Sequence, residues 1–546
     1  MNSAGAAAPP NSGTAIEGAK PPSVQQPAQP GAQAPITVEG EPQAEQDTGG
    51  QKVTVKSFKI SGETPVPEQE LLKLVQDEAG KAFTLGELKQ LAVRITKHLR
   101  QQGYIVAYAY IPAQDVVGGT VEIAVVPGKY GQIEITGDTR LGTDRLKGML
   151  FCAKPGMVIT GGPLERALLL INDLSGVAVK ATLKRGATPG TADLVLAVAD
   201  TAKTTGALYA DNWGNSATGR GRYGVQIAFN NLGGIGDSFN LGGMTTGEGL
   251  DNYNFDYSVP IGFGGATASV RYSQVDYSLG DSFADMGATG RAVVASYVIS
   301  YPLVRSRTFN LYANFGYDVK HLRDDISSFA SYNPKTSNLW NIGLEGNYVD
   351  QWLGGGTSAF SLTQYYGRLA FCNSDSAATD ATYANTAGKF MKTLMTYQRR
   401  QYVAKDLTFS FSFIGQVADK NLDSSEKLFL GGADGVRAFP QGEASGDSGY
   451  KLTGEFRWRL ARLSTDKNNL FLTTFYDYGN VMVNHQPWPG AGANRRSLMG
   501  AGLGLLWTRD RDSVFRMDYA WKIGNEQSVS DPGSNGRLWV QAVKYY

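Results

Sequence analysis

The stretch Gly431-Gly432-Ala433-Asp434-Gly435-Val436-Arg437-Ala438-Phe439-Pro440-Gln441-Gly442-Glu443-Ala444-Ser445-Gly446-Asp447-Ser448-Gly449-Tyr450 has no periodicity, whereas the chain on either side alternates apolar and polar residues. Gly431-Gly432, Gly435, Pro440 and Gly442 mark an irregular loop. In its middle, Arg437 is a lone cation among Val436, Ala438 and Phe439. Downstream, Phe475-Tyr476-Asp477-Tyr478-Gly479 sets a lone carboxylate inside an apolar strand. A guanidinium and a carboxylate make a natural bidentate pair. If the strand belongs to a barrel, the loop must fold back into the lumen to reach Asp477. The reading therefore turns on whether the flanking segments close into a barrel.

From Thr204 onward they read as strands, without helices. Tyr223, Val225, Ile227 and Phe229 alternate with small or polar residues, as do Tyr253, Phe255, Tyr257 and Val259. The same pattern recurs at Leu311–Val319, Trp340–Tyr348, Leu407–Phe413, Leu452–Leu460, Leu470–Tyr476, Met499–Trp507, Phe515–Trp521 and Leu538–Tyr546. The polar positions carry Asn, Gln, Arg and Asp, which suits a hydrated lumen better than the single core of a soluble sandwich. Tyr and Trp recur near strand ends, as interfacial girdles require. Short connectors such as Ser258–Gly265 and Tyr301–Arg307 alternate with long ones such as Lys320–Thr336, Phe371–Gly388 and Gly431–Ser448. Pairing these segments predicts an all-β antiparallel transmembrane barrel of 16 strands over residues 202–546, wide enough for a water-filled lumen. On that reading Asp477, Phe475 and Phe471 face the lumen, and Leu470, Leu472 and Tyr476 face lipid.

Composition agrees. The 546 residues exceed a single compact core, and a net charge of +1 leaves no electrostatic footprint for nucleic acid. No apolar run is long enough for a transmembrane helix. Cys152 and Cys372 lie in different candidate domains and read as incidental thiols. The N-terminus has no charged region followed by an apolar one, so an exported protein with this sequence is expected to be a mature or recloned chain with Met1 added. Residues 1–50, rich in Pro, Ala and Gln, are expected to be a disordered linker.

Between linker and barrel the texture is α+β. A strand at Val53–Ile60 precedes a short helix after Pro67 and a second helix capped by Thr84 with Glu87, bearing Leu88, Leu91, Ala92, Ile95 and Leu99 at helical spacing. Strands follow at Tyr104–Ile111 and Thr120–Val126. The order then repeats: a strand at Ile133–Ile135, helices at Leu141–Leu150 and Leu164–Leu174, and strands at Val177–Leu183 and Ala192–Val198. Two modules, 51–128 and 129–201, are expected.

This repeat resembles the POTRA module, and the phrases Leu85…Gly103-Tyr104, Ile111-Pro112-Ala113-Gln114 and Val126-Pro127-Gly128 look like the first POTRA domain of two-partner secretion transporters. Gly431–Phe439 followed by Gly446-Asp447-Ser448-Gly449 resembles the VRG(Y/F) loop of the Omp85 superfamily. Phe475-Tyr476-Asp477-Tyr478-Gly479 is similar to its F-x-D-x-G strand motif, and Asp211-Asn212-Trp213-Gly214 with Gly236-Asp237 to its barrel opening. Two modules favour the two-partner secretion branch (TpsB, the haemolysin activation/secretion proteins) over the barrel-assembly branch. The resemblance implies that Val436, Arg437, Ala438, Phe439, Gly446 and Asp447 form a gating loop, and that Arg437 pairs with Asp477, flanked by Phe475 and Gly479. It also implies POTRA domains in the periplasm of a Gram-negative outer-membrane protein, a secreted exoprotein as partner, and a monomeric barrel in lipid. Two departures stand out. Ala438 replaces the family glycine, and residues 1–50 show no period for the helix that often plugs such barrels. A barrel-assembly factor remains the alternative, and a passive porin would leave the modules unexplained.

Enzyme signatures are missing: there is no G-x-S-x-G, Walker loop or zinc spacing, and His98, His321 and His485 are scattered. No catalytic residue, metal or cofactor is therefore expected. Asp324-Asp325 reads as solvated loop charge. Exchanging the two charges, Arg437→Asp with Asp477→Arg, is expected to restore part of what either single change loses.

Overall fold

The computed structural model describes residues 9–21, 36–39, 51–510, 512–531 and 535–546. The chain divides into two compact units, Met1–Gly31 with Ala202–Tyr546, and Ala32–Thr201.

The smaller unit holds both α+β modules. In the first, Ser57–Gly62 runs parallel to Thr120–Val126, whose other side pairs antiparallel with Tyr108–Tyr110. Helix Leu85–Gln101 covers this sheet with Leu88, Leu91, Ala92, Ile95 and Leu99, all buried. The predicted capping box holds its start: Thr84 N–H donates to Glu87 Oε2 (2.7 Å) and Glu87 N–H to Thr84 Oγ1 (3.2 Å). The edge strand is shorter than the predicted Tyr104–Ile111. Beyond it, Gln114 substitutes for a strand, since Glu122 N–H donates to its Oε1 (2.7 Å) and its Nε2 donates to Glu122 O (2.8 Å). The second module repeats the order with Lys129–Thr136, helices Thr143–Met149 and Gly161–Asn172, and strands Val177–Arg185 and Thr191–Asp200.

The larger unit is a closed barrel of 16 antiparallel strands, beginning with Thr204–Asp211 and ending with Gly536–Tyr545. The alternation read from sequence appears as two faces. Tyr253, Trp340, Ile342 and Leu344 are each more than two-fifths exposed on the outer surface, as a lipid-facing wall requires. The seam between first and last strands pairs Ala207–Asp211 with Gln541–Tyr545. Asn212 extends it: its N–H donates to Val540 O, its Nδ2 to Leu538 O, and its Oδ1 accepts from Val540 N–H (2.8 Å).

Several expectations are corrected. Lys320–Thr336 is not a long loop, because Phe309–Ile326 and Ser331–Asp350 continue as strands to a turn at Ser327–Phe329. Helices do not vanish after Thr204: Ser374–Thr382 is helical, started by Asn373 Oδ1 accepting from Ser376 N–H (2.7 Å). Ser448–Tyr450 belongs to a strand, not to the lumen loop.

The expectation of a disordered residues 1–50 is also overturned in part. Ser12–Gly18 is a helix with Asn11 as cap, and Ile36–Val38 is a strand on the second module. The remainder of that segment lies outside the described residues. Both elements evaded the composition argument because their order comes from surfaces elsewhere in the chain, not from local apolar periodicity.

The outer face yields a direct test. Ile342→Arg is expected to lower the stability of the lipid-embedded chain by about 2–4 kcal/mol in denaturant titrations. Asn341→Ser, on the opposite face, should change it by no more than about 1 kcal/mol.

Candidate functional site

Between Leu407–Ala418 and Ser448–Arg459 the chain leaves the wall and enters the lumen. Its two legs pair briefly, Leu428–Phe429 against Ser445–Gly446. The tip then folds on itself, with Val436 N–H donating to Leu430 O (2.8 Å) and Phe439 N–H to Val436 O (3.0 Å). Val436, Ala438 and Phe439 are fully buried with Leu430, Phe475, Val481 and Leu498. Ala438 shows why the family glycine is dispensable: it is not among the residues with positive φ, and its methyl sits against Gly500, where an added Cβ would come within 2.5 Å of it. Gly479 makes similar room, since a Cβ there would lie 2.8 Å from Leu430.

Arg437 lies at the centre and is 3% exposed, against Asp477 at 0%. Its Nε and Nη2 donate to Asp477 Oδ2 and Oδ1, both at 2.9 Å, and its own N–H donates to Oδ2 at 3.1 Å. Thr453 Oγ1 gives Asp477 a further bond (2.8 Å), and the guanidinium lies 3.3 Å from the Phe475 ring centroid. The carbonyl of Arg437 accepts from Trp539 Nε1 at 2.7 Å. The structure thus brings the predicted pair together and adds partners that sequence reasoning missed. Arg437 Nη1 also donates to Glu455 (2.8 Å) and Asp518 (3.2 Å). Arg457 holds Glu455, and Arg516 bridges Glu455 and Asp518. Three guanidiniums face three carboxylates. Their signal was present in the sequence as alternate-residue charges, Glu455/Arg457 and Arg516/Asp518, on two late strands.

This sharing corrects the charge-exchange expectation. Arg437→Asp would place an acid against Glu455 and Asp518, so the double exchange should not rescue either single change. Charge at this position is fixed by three strands.

Gly446 and Asp447 act at the base of the loop. Asp447 accepts from Leu422 N–H (3.1 Å) and His485 N–H (2.8 Å) and pairs with Lys427 (3.0 Å). Glu426 pairs with Lys320 (2.7 Å) and Lys392 (2.9 Å), and Asp423 with Lys335 (2.7 Å). Gly446 and Asp447 were singled out in sequence; Asp423, Glu426 and their partners were not, because lysines on separate strands give no local pattern.

The N-terminal helix occupies the same unit. Its Ser12 N–H and Oγ donate to Asp324 (2.7 and 3.1 Å). At the other end Arg222, held bidentately by Asp211, donates to Gly18 O (2.6 Å) and Lys20 O (3.0 Å). Unpaired helix-end groups are thereby matched by an acid and a cation. Gly13 lies so close to the loop that an added Cβ would be 2.4 Å from the Ser424 carbonyl carbon. Lys335 Nζ also reaches Asp324 (3.3 Å), so one ion-pair chain joins helix, wall and loop base. Asp324, expected as a solvated loop charge, instead sits on a strand and holds the helix. The cue for that helix was Asn11 with Thr14, a capping box without an apolar stripe.

Comparison with known proteins matches residues 190–506 to the haemolysin secretion/activation protein ShlB/FhaC/HecB family and residues 53–128 to the ShlB-type POTRA domain. The chain belongs to this family. Heme/hemopexin transporter protein HuxB of Haemophilus influenzae is 28% identical over 489 residues, 88% of this chain and 85% of that protein. Outer membrane transporter CdiB of Escherichia coli is 26% identical over 442 residues, 79% and 73% of the two chains. The solved structure of CdiB from Escherichia coli superimposes with a TM-score of 0.71, covering 93% of each chain at 21% identity. This transporter is therefore an outer-membrane β-barrel of the TpsB type, in a family whose POTRA domains are periplasmic, and not an enzyme.

Arg437→Ala leaves three carboxylates facing two guanidiniums, a loss of about 3–5 kcal/mol at the buried site. It should raise single-channel conductance in planar bilayers while the barrel remains folded on heat-modifiability gels. Arg437→Lys should recover this only in part, because an ammonium cannot bond both oxygens of Asp477 in the same fork. Asp324→Asn, which weakens the helix anchor, should raise conductance with the Arg437 network intact.

Proposed function

We propose that this transporter secretes an exoprotein through its lumen after its POTRA domains recognise the cargo in an unfolded state. The observation that carries the reading is that both bodies filling the lumen, the loop Asp419–Asp447 and the helix Ser12–Gly18, are held by ion pairs and hydrogen bonds rather than by covalent links. Such contacts exchange against water and against a passing chain, so the conduit is closed yet can open. Arg437 and Asp477 act as the latch of the loop. Neither performs covalent chemistry. The sequence carries no nucleotide-binding motif, so folding of the cargo outside the cell supplies the direction of transport.

The first and last strands meet over the shortest pairing in the barrel, 207–211 against 541–545. Asn212 continues the hydrogen bonding past the last paired residue, Asp211, which makes this junction more costly to part. A single barrel in lipid is sufficient for the route.

Deleting the gene should remove one large exoprotein from the culture supernatant and leave other outer-membrane barrels at normal levels, as read by quantitative proteomics of both fractions. Arg437→Ala and Asp477→Ala should each abolish that export with the barrel still in the membrane. A general fall in outer-membrane barrels, with no exoprotein lost, would support the assembly-factor reading instead.

A further inference from the structure

The two POTRA modules differ in one respect that their own sequences do not explain. Each builds a three-stranded sheet in the same order, with its fourth element as one edge. In the first module that edge is Tyr108–Tyr110. In the second it is Val177–Arg185, and there a further strand, Ile36–Val38, is added from a segment that precedes both modules in the chain. It runs parallel, with Ile36 opposite Ala181, Thr37 opposite Thr182 and Val38 opposite Leu183.

The outward peptide groups in the middle of this edge, from Val179 to Leu183, are covered by substitutes. Glu39 N–H donates to Leu183 O at 2.9 Å, and by strand alternation Thr37 presents its N–H to the same neighbour. At Val179 the substitute is a side chain: Asn172 Oδ1 accepts from Val179 N–H (2.8 Å) and its Nδ2 donates to Val179 O (3.3 Å). Ile36 and Val38 pack on the core of the second module, with Thr37 turned outward. The added strand therefore reproduces both halves of strand recognition, main-chain bonds and alternate apolar side chains. It is also short and parallel, the weaker kind of pairing. A longer extended segment could form more bonds along the same edge.

We infer that the Val177–Arg185 edge is a seat for an extended cargo segment with apolar residues at alternate positions, and that Ile36–Val38 is an internal stand-in which the cargo displaces. The inference rests on the transporter reading. It adds which edge takes the cargo and what keeps that edge closed at rest. A tethered competitor acts through its effective concentration, so weak or wrong segments are excluded while a longer matching one wins.

The test uses the full-length chain carrying Cys152→Ala and Cys372→Ala. One variant adds Thr37→Pro, which removes a main-chain donor from the stand-in. Another adds Ile36→Cys with Ala181→Cys, which locks it by a disulfide. The probe is a fluorescent peptide with the sequence of residues 34–40, read by anisotropy in detergent. The Thr37→Pro protein should bind it about tenfold more tightly than the parent, and the oxidised lock should not bind it. In cells, the oxidised lock should lose export of the exoprotein that disappears on gene deletion, and reductant should restore it. Failure of Thr37→Pro to bind the peptide overturns the claim that the edge accepts strands. Normal export by the oxidised lock shows that Ile36–Val38 merely protects an edge, and overturns the cargo claim. Absence of any lost exoprotein on deletion is the separate failure of the transporter reading, and the peptide result still decides whether the edge accepts strands.

Discussion

The lumen of this barrel is organised by a charge that cannot be left alone. Arg437 is buried on a loop tip, and Asp477 is fully buried on the facing wall. An isolated buried ion of either sign is costly, and a pair is tolerable only with good geometry and all remaining hydrogen-bonding groups satisfied. Here the fork meets Asp477 with two bonds, the loop's own N–H adds a third, and Glu455 and Asp518 take the remaining side of the guanidinium. The apolar seat of Val436, Ala438 and Phe439 then follows from the position of the charge. A loop fixed in this way has one well-defined closed state. It can leave that state only if something else satisfies the same groups.

The second body in the lumen obeys the same rule at lower stakes. A helix of seven residues has little stability of its own. It persists because Asp324 accepts from the N–H of Ser12, Arg222 donates to the carbonyls of Gly18 and Lys20, and Gly13 allows backbone to lie against the loop segment at Ser424. Lys335, between Asp324 and Asp423, ties the helix anchor to the loop base. Movement of either body disturbs the charge balance of the other. Closure is therefore a property of the pair, and the strand Ile36–Val38 places a third replaceable contact on the same N-terminal segment of the chain.

Legibility in the sequence followed the range of the interaction. Alternation with period two is local, so the barrel and its strand number could be read from residues such as Tyr253, Phe255, Trp340 and Ile342. The Thr84/Glu87 capping box, equally local, located its helix to the residue. Arg437 and Asp477 could be picked out because each is a lone charge in an uncharged context. Glu455, Arg457, Arg516 and Asp518 could not, since lumen charges are ordinary on barrel strands and only three-dimensional closure brings these four into one network with Arg437. The helix Ser12–Gly18 and the strand Ile36–Val38 failed for a related reason. A segment that borrows its order from a distant surface has no need of apolar periodicity, and the composition of residues 1–50 conceals both.

The central claim is that the loop must leave its seat for cargo to pass. An added Cβ at Gly479 would lie 3.3 Å from Val436 Cγ2, within the Cβ-to-far-sulfur reach of a disulfide, so Val436→Cys with Gly479→Cys can bridge tip and wall. In a chain without Cys152 and Cys372, export of the cognate exoprotein is measured with this bridge oxidised and then reduced. The account predicts that export stops when the bridge is closed and resumes when it is opened, with the barrel folded throughout. Export at the normal rate through the oxidised, bridged transporter would contradict it.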